Sequence, residues 1–579
     1  MRYPKLRVLQ NSRQMVDTFK GYNHNLRIGD GEFFDMKNMT SDHYPVLSPR
    51  GARGVYASPN NPTGLISKDS LCYVDGSKFV INEYAVDMEL NDEPKQLVSM
   101  GAYVIIMPDK KYINTLDTTD RGKIEASYTS ASDVTFSLCT IDGADYENMT
   151  ISNNEPGDPE NLALWIDTSS KPHTLKQYSK TSATWVQIAT TYIKISCPGI
   201  GAAFNKYDGV NISGIKADEL QDLNASMVIW AKDDGYIVVT GILDNVTTQS
   251  VADGVISVDR KMPNMDFVIE SENRLWGCKY GVANNGEVVN EIYASKLGDF
   301  KNWNCFMGLS TDSYAASCGT DGQFTGAITH LGYPLFFKEN CVHKVYGNYP
   351  ANFQIQTTAC RGVQRDCHKS LAIVNETLFY KARNAVCAYD GSLPTEVSYA
   401  MGSEAYSDAV GGSHGNKYYI SMKDVLGEYN LFVYDIAKGM WHKEDDLQAD
   451  CFCSCRGELY AITNGKIITM LGSGTTDTDP VEWMVETGEI GISSPDMKYI
   501  SSLTIRMSMD IGAEVGIFAQ YDFSDAWEMV CVLRSDNLRS FSIPIRPKRC
   551  DHMRLRIEGV GAVKIYSITK TIEQGSDRS

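Results

Sequence analysis

The sequence predicts an all-β protein: a β-propeller-like body with an inserted β-rich module and a C-terminal antiparallel β-sandwich. The composition is one reason, since 32 tyrosines and 47 glycines accompany few clean helical patterns. A hairpin unit that recurs along the chain is the second. The third is the period-two alternation of apolar and polar residues near the C-terminus, as in Leu555 and Ile557 opposite Arg554 and Arg556.

The recurring hairpin predicts propeller blades. Each copy has a strand with aromatic or aliphatic residues, a polar turn and a second strand that often ends in Tyr-Asp or Tyr-Gly. Because a lone hairpin is marginally stable in water, we expect these units to stack radially as four-stranded sheets with short, protected edges. An ordinary β-sandwich is the alternative. The copies lie at residues 71–81, 101–114, 272–303, 332–347, 376–391, 417–443 and 457–472.

One copy ends in the segment YDIAKGMW, residues 434–441, which is similar to the end of a kelch-type blade. An aspartate at such a turn caps backbone amides, and a tryptophan packs between neighbouring sheets. We therefore expect Asp435 to hold the turn and Trp441 to be buried.

Residues 126–260 interrupt this pattern with Ser/Thr-rich alternating segments and one helical candidate at 215–227. The sequence predicts five parts. They are an N-terminal extended segment leading into the propeller (1–60), the first propeller strands (61–125), an inserted β-rich module (126–260), the remaining blades (261–475) and the C-terminal β-sandwich (476–579).

The bulk properties are those of a globular protein, with 43% hydrophobic and 22% charged residues. No apolar run approaches the roughly 20 residues of a membrane span, and we expect no secretory signal at the N-terminus. The formal charge of −18 opposes non-specific attachment to nucleic acid, yet an acidic wall would let DNA pass without sticking. The fifteen cysteines are interpreted as reduced, mostly buried thiols.

The sequence lacks the familiar motifs of enzymes. It contains no P-loop, no His-Glu-x-x-His, no Gly-x-Ser-x-Gly and no Ser-x-Asp-x-Gly-x-Thr-Trp box of sialidase-like propellers. We therefore predict that the chain is not an enzyme, and we assign no catalytic, cofactor-binding or metal-binding residue and no cofactor.

Two cysteine patterns bear on this prediction. Cys451, Cys453 and Cys455 would share one face of a strand about 6.5–7 Å apart, whereas metal sites more often use Cys-x-x-Cys. A packing stripe is favoured over metal or redox chemistry. Cys367 and His368 are adjacent, so on a strand their side chains would point apart and form no catalytic pair.

Two charged segments also have a functional and a structural interpretation. Glu444, Asp445 and Asp446 could supply paired carboxylates for glycan hydrolysis, but a run of acids after a blade-ending tryptophan favours a solvated loop. The basic residues of 546–556 favour a solvated strand face, with a docking patch for an acidic partner, or for DNA, as the alternative.

The order of features resembles the tail nozzle, or packed-tail stabilisation, proteins of short-tailed bacteriophages. The N-terminal stretch 26–54 resembles their opening segment, and residues 541–568 resemble their closing strands. A distributed signature matches as well, in Arg274, Leu275, Trp276, Ile292, Tyr293, Ala294, Ser295, Gly298, Asp299, Asn302 and Trp303. Residues 126–260 depart from the family pattern, and 156–188 resemble a small module common in phage tail and fibre proteins.

The resemblance implies a structural virion protein at the distal tail, made in the host cytoplasm. Copies of the chain would form a hexameric ring that lines and gates the DNA-ejection channel. The implied partners are tail adaptor or portal-side proteins, tail fibre or receptor-binding proteins, and double-stranded DNA in transit without sequence-specific binding. No membrane span is expected.

A receptor- or glycan-binding propeller is the alternative function, with a polysaccharide hydrolase as a third. The sugar platform would be formed by Trp165, Tyr178 and Trp185 of the module. A local mini-core formed by the same aromatic residues is the favoured alternative to that platform.

Overall fold

The fold is known from a computed structural model, which describes residues 11–147, 149–241, 249–251, 255–282, 286–473, 480–493, 496–522, 524–534 and 537–574. The chain forms two compact units. The first comprises Met1–Lys95, Phe336–Val342 and Thr357–Ser579, and the second comprises Gln96–Leu335 and His343–Gln356. No helix among the described residues is long and apolar enough to cross a membrane.

The predicted all-β fold is confirmed. Seven four-stranded antiparallel units, here called blades 1 to 7, follow one another along the described chain. Blades 1 to 3 are Pro62–Ser67, Leu71–Asp75, Lys78–Ile81 and Tyr84–Asp87; then Gln96–Met100, Tyr103–Met107, Lys111–Asn114 and Arg121–Lys123; then Phe267–Ser271, Arg274–Val282, Val288–Ala294 and Tyr314–Ser317.

The remaining blades continue the same up-and-down order. They comprise Gly326–His330, Tyr333–Lys338, Cys341–Tyr346 and Gln354–Ala359 (blade 4); Ala372–Val374, Thr377–Ala382, Ala385–Tyr389 and Thr395–Glu396 (blade 5); Ser407–His414, Lys417–Lys423, Tyr429–Asp435 and Met440–Lys443 (blade 6); and Cys451–Cys455, Glu458–Thr463, Lys466–Thr469 and Gly54–Ala57 (blade 7).

Blade 7 takes its fourth strand from the beginning of the chain. Gly54–Ala57 pairs antiparallel with Lys466–Thr469, and the next strand along the chain, Pro62–Ser67, begins blade 1. Apolar side chains of blades 7 and 1 then form one cluster, in which Leu65 and Leu71 meet Ile467. The two ends of the propeller sequence are thus joined within the first unit by hydrogen bonds and by apolar packing.

Neighbouring blades pack through apolar faces in both units, as stacked sheets must to bury their hydrophobic side. In the first unit Tyr419 and Val433 of blade 6 contact Leu459 of blade 7. In the second unit Val98 of blade 2 and Leu275 of blade 3 lie in one cluster. The predicted roles of two residues are confirmed: Asp435 accepts hydrogen bonds from the amides of Ala437 and Lys438, and Trp441 is buried.

Residues 126–260 form three sheets and share one core. The helical candidate at 215–227 is only a short 3-10 helix, Asp218–Leu223. The first sheet is Ala126–Thr129, Ser257–Arg260, Gly209–Ser213 and Ser226–Val228; the second is Ala231–Asp233, Tyr236–Thr240, Tyr192–Ser196, Val134–Cys139 and Gln249–Val251; the third, here called the aromatic sheet, is Met149–Ser152, Leu164–Asp167, Thr174–Ser179 and Thr184–Gln187.

The C-terminal sandwich has two layers, and strands from the N-terminal region complete both. Asn11–Val16 pairs with Val563–Gln574, and Glu32–Lys37 pairs with Glu482–Thr487. One layer orders Asn11–Val16, Val563–Gln574, Lys498–Met509 and Arg539–Ile543, with Arg549–Cys550 beside the third; the other continues from blade 6 through Gly21–Tyr22, Glu32–Lys37, Glu482–Thr487, Met553–Val560, Glu514–Tyr521 and Glu528–Arg534.

Short elements connect these sheets. They are the pair of two-residue strands Met39–Thr40 and Ser48–Pro49 and the 3-10 helices Pro350–Asn352, His368–Ser370 and Tyr399–Met401. The division of the chain at residues 60, 125, 260 and 475 stays a prediction.

Candidate functional site

The aromatic sheet brings together the three aromatic residues that the sequence singled out. The rings of Trp165 and Trp185 lie 5.3 Å apart at 67°, and Tyr178 lies 5.3 Å from Trp185 at 60°. Edge-to-face packing of this kind stabilises a cluster beyond the area it buries. The cluster is therefore a single preorganised surface element.

Strand alternation explains why these rings share a face. Successive side chains of a strand point to opposite sides, so Leu164, Ile166 and Leu175 face the module core. The opposite face carries Trp165 and Asp167 on one strand, Lys176 and Tyr178 on the next, and Trp185 and Gln187 on the edge strand.

Exposure differs across this face. Trp165 is 5% exposed, whereas Tyr178 and Trp185 are half-buried and Gln187 is exposed. Trp165 thus behaves as the local mini-core expected as the alternative to a sugar platform. Tyr178, Trp185 and Gln187 remain accessible on the outer part of the sheet.

An ion pair between the half-buried Lys176 and the buried Asp167 supports the rings. The Lys176 ammonium lies 2.7 Å from Asp167 Oδ2 and 4.7 Å from the centre of the Trp165 ring. The hydrogen bond from Lys176, together with bonds from Ser169, lowers the pKa of Asp167 to about 2. Lys176 is therefore fixed over Trp165 throughout the neutral pH range.

The indole of Trp185 has an unused hydrogen-bond donor. Its Nε1 is buried, and no acceptor for it is found among the described residues. By contrast, Nε1 of Trp165 donates to the Ser152 carbonyl at 3.0 Å. An unpaired buried donor costs about 1–3 kcal/mol, and this nitrogen has no exposed surface at which a ligand could meet it.

Sequence reasoning found the three aromatic residues but missed Asp167, Lys176 and Gln187. The sequence did contain a sign of the shared face, because residues two apart on a strand point to the same side. Three pairs have this spacing: Trp165 and Asp167, Lys176 and Tyr178, and Trp185 and Gln187. Only the pairing of the strands, with Trp165 opposite Lys176, shows that they form one face.

The prediction of a solvated acidic loop is wrong for two of its three residues. Glu444 and Asp445 are desolvated and bind Arg53 at 2.6 Å each, and Arg50 lies 3.1 Å from Asp445. Burial alone would raise the pKa of Asp445, but the charges of Arg53 and Arg50 outweigh it and lower that pKa. Asp446 is exposed, as expected.

The two cysteine patterns lie in different surroundings. Cys451, Cys453 and Cys455 occupy one strand beside the apolar cluster of blades 7 and 1, and burial raises the pKa of Cys453. Cys367 is buried, and His368 begins a 3-10 helix in which burial lowers its pKa to about 4. Within the described ranges, no group of three potential metal ligands converges.

Much of the basic segment 546–556 is used within the chain. Arg554 and Arg556 both bind the buried Glu486, at 2.8 and 3.0 Å, and Lys548 pairs with Glu528. The prediction of a solvated strand face is therefore wrong for these two arginines, because Glu486 holds them against the sheet.

Two polar residues of the stretch that resembles phage tail nozzle proteins, Arg274 and Asn302, make buried hydrogen bonds. Arg274 donates to the carbonyls of Ser295 and Ser310 at 2.8 and 2.9 Å. Asn302, fully buried, accepts from the Gly209 amide at 2.7 Å and donates to Asp208, which also binds Arg260. The signature thus ties blade 3 to the first sheet of the module.

Comparison with known proteins gives no family. No protein-family model and no curated protein matches the sequence. Among solved structures, the exo-beta-1,3-galactanase of Phanerochaete chrysosporium has a TM-score of 0.21 and 8% identity over 52% of this chain and 94% of its own. The Pyrococcus horikoshii acylaminoacyl peptidase has a TM-score of 0.23 and 9% identity over 60% and 57%.

A third solved structure spans nearly the whole chain. The Trypanosoma rangeli sialidase in complex with sialic acid has a TM-score of 0.19 and 8% identity over 97% of this chain and 95% of its own. Scores this low carry no argument about the ligand or reaction of this chain.

The prediction that the chain is not an enzyme does not stand beside these neighbours, which are glycoside hydrolases, a peptidase and sialidases, although they assign no reaction to this chain. That exclusion is withdrawn. It failed for a physical reason: catalytic carboxylates can come from separate strands that meet only in space, so missing local motifs do not exclude catalysis.

Proposed function

We propose that this chain is a carbohydrate-binding β-propeller protein that uses the outer face of the aromatic sheet. The observation that carries this proposal is the placement of Trp165, Tyr178 and Trp185 on the face opposite the module core. Sugar rings present apolar C–H faces and hydroxyl edges, and aromatic rings beside polar groups offer partners for both.

The polar groups of this face suit hydroxyl recognition. The exposed Gln187 amide supplies both a donor and an acceptor. The Lys176–Asp167 pair already satisfies its own charges. The face therefore favours a neutral glycan over a strongly charged one.

Glycan-array screening of the purified chain tests this proposal. We expect binding to neutral oligosaccharides, and we expect Trp185→Ala to weaken the best hit by about tenfold, equivalent to about 1.4 kcal/mol. Tyr84→Ala is the matched control, since Tyr84 is 78% exposed on blade 1 and lies in the other unit. That control should bind as well as the original chain.

Gln187→Ala tests whether weaker glycan binding can arise without unfolding of the sheet. Gln187 is exposed, so its truncation should leave the unfolding transition unchanged while weakening binding. Binding that survives both substitutions would contradict the site. Release of reducing ends during incubation would assign hydrolysis in addition to binding.

A second candidate function is a structural role in a short-tailed phage virion, as a ring at the distal tail that lines and gates the DNA channel. The observation that favours it is that residues of the resembling stretches make structural contacts, with Arg274 and Asn302 of the signature in buried hydrogen bonds and Arg53 of the opening segment in a buried ion pair. Its partners would be further copies of the chain, tail adaptor proteins and fibres.

Imaging separates the two functions. Negative-stain microscopy of the purified chain, with mass photometry, should show closed rings of six copies, each of 64.3 kDa, if the virion function is correct. A chain that binds glycans but forms no ring, alone or with a tail adaptor, would leave only the first function.

A further inference from the structure

One face of the C-terminal sandwich is covered by hydroxyl groups. It belongs to the layer that contains Asn11–Val16, Val563–Gln574, Lys498–Met509 and Arg539–Ile543, in which buried side chains alternate with outward ones. The outward side is here called the hydroxyl face. Its serines and threonines are Ser502, Thr504, Ser508, Ser540, Ser542, Ser567, Thr569 and Thr571.

A bulge decides which residues of the last strand lie on this face. Ser567 is opposite Arg506 and Lys564 is opposite Ser508, so Tyr566 is an extra residue between them. Arg506 and Ser508 are two apart on their strand and point to the same side. Lys564 and Ser567 therefore share that side as well, although they are three residues apart.

Three positive side chains stand on the hydroxyl face: Arg13, Arg506 and Lys564. Each is exposed, and none forms a hydrogen bond or an ion pair with another described residue. The only carboxylate among the described strand residues on this face is Glu573, which lies at one end. In a chain with 54 Lys and Arg against 72 Asp and Glu, the face is a local excess of positive charge.

These positive charges are widely spaced. Lys564 lies one strand from Arg506 and two residues along, which separates their Cα atoms by about 8 Å. Arg13 lies two strands from Arg506 and four residues along, about 17 Å away. Double-stranded DNA carries one charge per about 1.7 Å of its axis. The face therefore fits a polymer with sparse negative charges and with hydroxyl groups between them.

A cavity of about 600 Å³ adjoins one end of the hydroxyl face. Ser508, Lys564, Tyr566 and Arg50 are among its lining residues, and Asp510 is the one carboxylate among the described residues that line it. Its volume lies within the range of about 300–1,000 Å³ that is usual for small-ligand pockets. The face thus has a concave end with room for a sugar unit.

We propose that the hydroxyl face binds an acidic polysaccharide, a sugar chain that carries carboxylates at intervals. Arginine and lysine form charge-assisted hydrogen bonds with carboxylates, and serine and threonine both donate to and accept from sugar hydroxyls. The hydroxyl face lies in the first unit and the aromatic sheet in the second. The proposal therefore goes beyond glycan binding by the aromatic sheet and does not depend on it.

Hyaluronan oligosaccharides, which carry a carboxylate on every second sugar, test the proposal. Isothermal titration calorimetry of the full chain at about 50 mM salt should show binding that weakens as salt is added. Carboxyl-reduced hyaluronan of the same length should bind about tenfold more weakly or not at all, since it lacks the charges that the face pairs with. A short DNA duplex should not displace hyaluronan.

Substitutions locate the site. Arg506→Glu should weaken hyaluronan binding by about tenfold, because repulsion replaces attraction on the face. Lys466→Glu, at an exposed position of blade 7, changes the net charge equally and should have no effect. Arg506→Lys should keep most of the binding, and Trp185→Ala should keep all of it. Arg506→Glu should leave the unfolding transition unchanged, since Arg506 is exposed.

Four outcomes would overturn the proposal. They are an absence of hyaluronan binding at low salt, equal binding of the carboxyl-reduced polymer, equal losses in Arg506→Glu and Lys466→Glu, and displacement of hyaluronan by the DNA duplex. If Trp185→Ala alone abolished binding, the acidic chain would belong to the aromatic sheet and not to the hydroxyl face.

Discussion

At the scale of single residues, buried charged side chains near the N-terminal region form ion pairs. Arg53 is 11% exposed and binds both Glu444 and Asp445, and Arg50 joins them from the same N-terminal segment. Removing one partner of such a group strands the other in a low-dielectric interior. The cluster therefore fixes the beginning of the chain to the end of blade 6.

Arg53→Met tests that role. We expect a loss of about 3–5 kcal/mol in the free energy of unfolding, because Glu444 would remain buried without its main partner. Urea denaturation followed by tryptophan fluorescence measures it. Arg27→Met at an exposed position should change the stability by no more than about 0.5 kcal/mol. Equal effects of the two substitutions would contradict the buried pair.

His442 gives the chain a pH-dependent stability. It is 4% exposed, and burial, aided by the charge of Lys417, lowers its pKa from 6.5 to about 4. Between these values the unfolded chain binds a proton that the folded chain does not, so stability falls as the pH falls from 6.5 to 4. Below pH 4 this contribution is fully lost.

Proton NMR of the His442 ring measures this directly. The chemical shift of the ring C–H should stay constant from pH 8 to pH 5.5 in the folded chain, whereas a free imidazole with a pKa of about 6.5 would titrate across this range. A midpoint near 6.5 for His442 would show that its ring is solvated.

At the scale of elements, the sequence predicted the hairpins, which form between residues that are close together along the chain. Hairpins of blades 1 to 7 could be found because their alternation and turns lie within a few residues of one another. The strand Gly54–Ala57 could not be assigned to blade 7, since its partner Lys466–Thr469 lies some four hundred residues away. Pairing at such distance leaves no local mark in a sequence.

In the candidate site, too, some features could be predicted from the sequence and others could not. The aromatic residues Trp165, Tyr178 and Trp185 could be predicted as a cluster from their type and spacing. The burial of Glu444 and Asp445 could not, because it depends on Arg50 and Arg53, which come from a distant part of the chain. A run of charged residues is predicted to be solvated when its partners elsewhere in the chain are unknown.

At the scale of elements we also predict that Asn302 is needed to hold blade 3 against the module. Its side chain bonds the Gly209 amide and Asp208, so it joins blade 3 to the strand Gly209–Ser213 of the module. Asn302→Ala leaves that amide and Asp208 short of a partner and should cost about 1–3 kcal/mol. Hydrogen exchange should rise in Gly209–Ser213, while the aromatic sheet keeps its protection.

The control for Asn302 is Asn384→Ala at an exposed turn of blade 5. It should leave exchange in Gly209–Ser213 unchanged. If Asn302→Ala behaves like that control, the signature residues have another role than joining blade and module.

At the scale of the whole molecule, the net charge decides how the chain meets nucleic acid. A formal charge of −18 repels a polyanion, and two of the four arginines of the basic segment, Arg554 and Arg556, are engaged by Glu486. We therefore expect no retardation of double-stranded DNA in a gel-shift assay at 150 mM salt. Because affinity from phosphate contacts rises steeply as salt is lowered, the assay should be repeated at about 50 mM. Binding that appears there, and that Lys548→Glu abolishes, would identify the basic segment as a DNA contact and contradict a wall along which DNA slides freely.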